Sequence, residues 1–196
     1  MELNLKKEDR IMKLTKTMTL AGSLCMAMAF SSVANLAVAA EAKTAAANPV
    51  PADKVSLLGG HLAFNLKGYE MQPVPGGGPG NMYVSKAEKR VMLIGEDAIP
   101  VVARGASDAD FINGMKSIKD KQKQASPDYT VISEKTENVK GLEVYHIEAT
   151  DKMDGKNVQQ ATLLSAADNK FTVIQVISGS KDKTGHAAAV NNILAK

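Results

Sequence analysis

From Tyr129 onward, hydrophobic residues recur every second position in four successive segments, and the connections between segments are too short to carry a crossover. The segments are Tyr129-Thr-Val-Ile-Ser133, Leu142-Glu-Val-Tyr-His-Ile147, Val158 to Ser165 and Phe171-Thr-Val-Ile-Gln-Val-Ile177. A period of two puts alternate side chains on opposite faces of a strand. Lys140-Gly141, Asp154-Gly155 and Asp168-Asn169 mark the turns, and Asp-Gly suits the positive φ of a tight hairpin. Parallel neighbours would need a connection of about a dozen residues or more, so the pattern predicts an antiparallel meander. The last segment is apolar on both faces, with Phe171, Val173 and Ile177 on one and Ile174 and Val176 on the other. It is therefore expected to be a central strand with a layer on each side.

The preceding half reads as two hairpins and a helix. Val55-Ser-Leu-Leu58 and His61-Leu-Ala-Phe-Asn-Leu66 flank Gly59-Gly60, and the second alternates cleanly. Tyr69 to Asn81 holds Pro73-Val-Pro75-Gly-Gly-Gly-Pro-Gly80 and is expected to be a loop, since proline lacks the amide a ladder needs. Met82-Tyr-Val-Ser85 and Arg90-Val-Met-Leu-Ile94 form a second hairpin. Ser107 with Asp110 resembles a capping box, and Phe111, Ile112, Met115 and Ile118 lie on one face of the helix that follows. Lys116 to Lys123 complement its negative end, and Pro127 closes it. Ala187, Val190, Ile193 and Leu194 predict a closing amphipathic helix over about 184–194. Strands followed by helices that cover an antiparallel sheet make an α+β domain.

The first 39 residues have the order of a secretory signal peptide. Lys6, Lys7, Arg10, Lys13 and Lys16 precede an uncharged run from Thr17 to Ala40 with an apolar centre. Ala37 and Ala39 are the small residues a signal peptidase reads, which places cleavage before Ala40. Met12 begins a compact basic segment and is an alternative start. An uncleaved membrane anchor is the other reading of the same run. Cys25 follows Leu24, where a lipoprotein signal would have a small residue. Residues 40–54, with their alanine run, Pro49 and Pro51, are expected to form a linker, and 55–196 one domain.

Composition excludes several classes of function. The full chain carries 24 Lys+Arg against 21 Asp+Glu, and losing the leader's five basic and three acidic residues leaves a net charge of +1. That is far from the basic surface of a nucleic-acid binder. Without Cys25 the mature chain has no thiol, hence no disulfide and no cysteine metal site. His61, His146 and His186 have no metal-pair spacing. Met71, Met82, Met92, Met115 and Met153 are spread singly, as core fillers are. Gly179-Ser180 lacks the glycines of a nucleophile elbow, and no Lys-Ser/Thr follows Gly76-Gly-Gly-Pro-Gly80, as a phosphate loop would require. No cofactor is expected.

Val55-Ser-Leu-Leu-Gly-Gly-His-Leu-Ala-Phe-Asn-Leu66, Asn81-Met-Tyr-Val84 and Val91-Met-Leu-Ile-Gly-Glu-Asp97, followed by a Lys-rich helix and a β-meander, resemble the DcrB family of bacterial envelope proteins. The resemblance spans most of the mature domain. It implies the fold of the PsbP proteins of photosystem II, an antiparallel sheet sandwiched by helices, and a non-enzymatic role in the Gram-negative envelope. DcrB-type proteins are typically lipoproteins, and Leu24-Cys25 departs from that pattern.

The expectation is thus a monomeric periplasmic binding or accessory module whose partner is another envelope protein or a membrane component. Its binding residues are expected in the glycine-proline loop: Val74, Gly76, Gly77, Gly78 and Gly80, with Tyr69, Met71 and Met82 at the base. A small secreted hydrolase using His146 with a nearby carboxylate is the alternative, and an inner-membrane-anchored envelope protein the third reading.

Overall fold

The structure, a computed structural model, describes residues 50–196. The leader, its cleavage residues Ala37, Ala39 and Ala40, and the Ala/Pro segment as far as Pro49 lie outside the described residues. Eight antiparallel strands form one sheet in the order β1-β2-β3-β4-β8-β7-β6-β5. Strands β1 (Val50–Leu57), β2 (Leu62–Pro73), β3 (Asn81–Ser85) and β4 (Arg90–Ala98) come first. Helices α1 (Asp108–Met115) and α2 (Ile118–Ala125) follow. The meander β5 (Thr130–Val139), β6 (Leu142–Met153), β7 (Lys156–Ala167) and β8 (Lys170–Gly179) comes next, and α3 (Lys183–Ile193) closes the chain.

The meander matches its sequence pattern, and β8 is central, paired with β4 on one side and β7 on the other. Its two apolar faces serve two cores. Ile174 and Val176 join Ala189, Val190 and Ile193 of α3, whereas Phe171 and Val173 join Phe111, Ile112 and Met115 of α1. Helices therefore lie on both faces, but the sheet dominates, and the layers are less balanced than an α-β-α sandwich implies.

Three local expectations need correction. The predicted helix from Ser107 breaks after Met115, because Asn113, Gly114 and Ser117 are poor helix formers placed together. Its cap holds: Ser107 Oγ accepts the Asp110 amide at 3.1 Å and donates to the Asp110 carboxylate at 2.9 Å. The expected linker also ends sooner. Val50–Lys54 belong to β1, where the residues from Val50 pair with β2. Pro51 is tolerated because β1 is an edge strand.

The third correction concerns β2, which continues through Tyr69 to Pro73 instead of ending at Leu66. It bends at Gly68, whose φ of 86° is a glycine conformation. The bend returns the β1–β2 hairpin over the sheet. At its tip the Leu58 amide donates to Glu96 at 2.5 Å, and His61 meets Asp168 at 3.1 Å. Leu62, Phe64 and Leu66 thereby pack in the core that α3 also covers.

Candidate functional site

The structure disperses the loop residues named from sequence. Tyr69 and Met71 lie within β2, and Met82 lies in β3. Val74, named as a contact residue of the loop and so expected at the surface, is 3% exposed and packs with Leu93 and Ile177. Burying a valine side chain is worth about 1.5–3 kcal/mol, enough to hold a short turn against the sheet. Pro75–Gly77 makes a 3₁₀ turn, Gly78 precedes Pro79, and Gly80 presses against the main chain of Ile94. Val74 is therefore packed against the sheet, while Pro75, Gly77, Pro79 and Gly80 stay exposed.

A groove lies on the opposite face. β3 pairs with β2 only from Glu70 to Pro73, so β2 between Leu62 and Tyr69 has no strand partner on the side away from β1. Helix α3 stands along that side instead. One end of the gap is bridged by Asn192, whose Nδ2 donates to the Asn65 carbonyl at 2.7 Å. The other end is bridged by Arg90, which donates to Tyr69 Oη at 3.2 Å and to Asp182 at 2.6 Å. Between the bridges, Lys67, Gly185 and Ala188 line an open pocket of about 600 Å³. A Cβ at Gly185 would collide with the Arg90 guanidinium and the Asp182 carboxylate, so a larger residue there would displace these two side chains.

Arg90 is also one end of a buried polar chain that runs beneath α3. Its Nε donates to Ser178 Oγ at 3.0 Å, and Ser178 lies 3.0 Å from His186 Nδ1. His186 Nε2 meets Glu148 at 3.2 Å. Glu148 meets His146 Nε2 at 2.7 Å, and His146 Nδ1 meets Glu137 at 2.9 Å. Glu137 finally pairs with Lys135 and with the C-terminal residue Lys196. Strand alternation puts Val144, His146 and Glu148 on the α3 face of β6, while Tyr145 and Ile147 face α1.

The proton assignments along this chain agree with one another. Arg90 donates to Ser178, which leaves the serine proton for His186 Nδ1, so His186 Nε2–H donates to Glu148. Burial raises the carboxyl pKa of Glu148, but hydrogen bonds from His146 and His186 outweigh it and hold the group down at about 2. Glu137 is likewise held at about 2, its burial outweighed by Lys196, His146 and Lys135. For His146, burial favours the neutral ring, and the bonds to Glu148 and Glu137 overcome this and raise its pKa. Burial pushes Tyr69 up to about 12, so its hydroxyl remains protonated and donates to Glu88 at 2.9 Å.

His146, the candidate base, is bracketed by carboxylates and touches no hydroxyl. The histidine that does lie between a hydroxyl and a carboxylate is His186. Both it and Ser178 are buried, and the serine oxygen already accepts Arg90. His61 sits apart, at the hairpin tip. Among the described residues, no group of three or more His, Cys, Asp or Glu is arranged to hold a metal ion. Sequence reasoning missed Arg90, Glu148, Ser178 and Asp182. Only the strand register and the return of α3 bring them together.

No protein-family model matches the chain, and no curated protein matches it by sequence. Comparison with solved structures finds a likeness to cyanobacterial PsbP (CyanoP) from Synechocystis sp. PCC 6803. Its TM-score is 0.51 at 11% identity, covering 82% of this chain and 96% of that one. The fold is PsbP-like. LpqN of Mycobacterium tuberculosis, described as involved in cell envelope biogenesis, is also similar, with a TM-score of 0.48 at 12% identity over 76% of this chain and 87% of that one. That second likeness is too loose to carry fold or function. None of the helices among the described residues is long and apolar enough to cross a membrane.

Proposed function

We propose that this chain is an exported, non-enzymatic accessory or binding module of the bacterial envelope, of the DcrB type, which works as a periplasmic monomer and engages its partner through the groove between β2 and α3. The observation that carries this reading is the groove itself. A strand edge without a strand partner faces a helix lined by Gly185 and Ala188, and both ends of the gap are fixed by hydrogen bonds. Such a preformed concavity receives a ligand with little reorganisation. The leader pattern and the sequence resemblance to the DcrB family support the envelope assignment. The partner is another envelope protein or a membrane component.

Ala188 is exposed and lies on the groove wall, so Ala188→Phe fills the gap without disturbing the core. Envelopes expressing the full chain, wild type or Ala188→Phe, would be cross-linked and the partners recovered. The reading requires a partner that the filled groove loses while the melting temperature is kept, and equal recovery from both proteins overturns it.

One observation favours the hydrolase as a second reading, the Ser178–His186–Glu148 array. It would need α3 to lift before a substrate could reach Ser178. Covalent labelling of Ser178 by a fluorophosphonate would establish it, and absence of labelling above the Ser178→Ala background removes it.

A further inference from the structure

Besides its Asn192 and Asp182 ties, helix α3 meets the sheet near each end through a carboxylate, and the two carboxylates share one imidazole. In its first turn His186 donates to Glu148, and just beyond its last turn Lys196 pairs with Glu137. His146 bridges these two carboxylates, Nε2 to Glu148 at 2.7 Å and Nδ1 to Glu137 at 2.9 Å. An imidazolium donates at both nitrogens, but a neutral ring carries only one N–H. Loss of one proton therefore leaves a ring lone pair against a carboxylate at hydrogen-bond distance, and that contact must break. We propose that His146 is the latch of a proton-controlled clamp on α3, closed when both ring nitrogens carry protons and loosened when one is lost, so that protonation sets the position of the groove wall.

The groups facing the latch are Lys135 and Glu137 on β5, Glu148 on β6, and Lys196 after α3. Behind Glu148 stand His186 of α3, Ser178 of β8, Arg90 of β4 and Asp182 at the α3 cap. The clamp adds to a short packed face: the helix has eleven residues and buries Ala189, Val190 and Ile193, with Leu194 at its cap, and Asn192 and Asp182 tie it besides. Such a surface supplies limited apolar burial. The direction of response follows from the environment. The carboxylate bonds outweigh burial and raise the His146 pKa above 6.5, so the clamp is closed at and below that pH and opens as pH rises through the raised value. The regulatory consequence rests on the groove being the binding site, but the clamp does not.

The test is NMR on the full chain. The His146 ring is titrated, and amide exchange across α3 is followed over the same pH range, corrected for intrinsic base-catalysed exchange. The expected ring titration lies above 6.5. Over that step, opening of Ala187 to Ile193 should rise roughly tenfold, while β8 keeps its protection. His146→Gln, which donates at one nitrogen only, should abolish the step. A ring titrating at or below 6.5, α3 opening without a step, or a step that survives His146→Gln each overturns the clamp. Should His146→Gln fail to fold, the two wild-type measurements decide the matter alone. Failure of the groove reading has a different signature: partner recovery unchanged by Ala188→Phe, with the exchange step intact.

Discussion

Strand β6 presents two different surfaces to the two sides of the sheet. Toward α1 it turns Tyr145 and Ile147 into a core with Phe111, Ile112, Phe171 and Val173. Toward α3 it turns Val144, His146 and Glu148, and the polar pair continues through His186 and Ser178 to Arg90. The α1 face is held chiefly by area and shape, with Glu134, Lys116 and Lys119 around Tyr145 at its rim, so its strength depends little on proton concentration near neutral pH. The α3 face adds to its apolar core a chain of charges whose value depends on every member keeping its partner. A groove wall fixed by such a chain can be loosened by one proton, whereas a wall fixed by leucines cannot.

Truncations on the two faces should separate these behaviours. Phe111→Ala opens a cavity beside Phe171, whose ring centroid lies 5.3 Å from that of Phe111, and should cost about 3–5 kcal/mol at any pH where the protein folds. Ile174→Ala, at a fully buried site on the α3 side of β8, should cost about 2–5 kcal/mol. Urea midpoints with unchanged m-values measure both, and a wild-type midpoint for Ile174→Ala would mean that β8 is not central. Glu148→Gln leaves His146 and His186 without their shared carboxylate. Because the Glu148 side chain is 28% exposed, the cost should fall to about 2–3 kcal/mol, below that for breaking a fully buried pair. Ser107→Ala removes an exposed cap on the α1 side and should cost about 1 kcal/mol, without pH dependence between 5 and 9. A loss above 2 kcal/mol there would show that α1 is held by its cap more than by its packing.

The dry face was the legible one. Period-two alternation from Phe171 to Ile177 named a two-sided central strand, and Ser107 with Asp110 named the start of α1. Each rests on local pattern, which a sequence displays directly. The polar face could not be read in this way. His146 and Glu148 sit in a strand where either phase of the alternation looks plausible, and only pairing with Leu163 and Ala161 of β7 settles which side they face. Arg90 reads as the polar start of a strand until β8 brings Ser178 beside it and α3 brings Asp182. Val74 failed for the same reason. Its two prolines describe a turn, but whether the turn stands out or lies down depends on Leu93 and Ile177, which are distant in sequence. The fold-back of the first hairpin occurs at Gly68 and the facing register shift between Ala52 and Lys54, and neither carries a direction that a sequence displays.

The most direct test of the central claim is the stability difference between the wild-type protein and Glu148→Gln as a function of pH, with Phe111→Ala as the control. The folded pKa of Glu148 is depressed to about 2 from 4.5, so its contribution is full above 4.5 and is lost as pH falls toward 2. That of His146 is raised from 6.5, so its contribution is full below 6.5 and is lost as pH rises through the folded value. The difference should therefore peak between pH 4.5 and 6.5 and shrink on both sides, while the Phe111→Ala difference stays level. A Glu148→Gln difference as flat as that of Phe111→Ala would contradict the account, because the polar chain beneath α3 would then contribute only as packing.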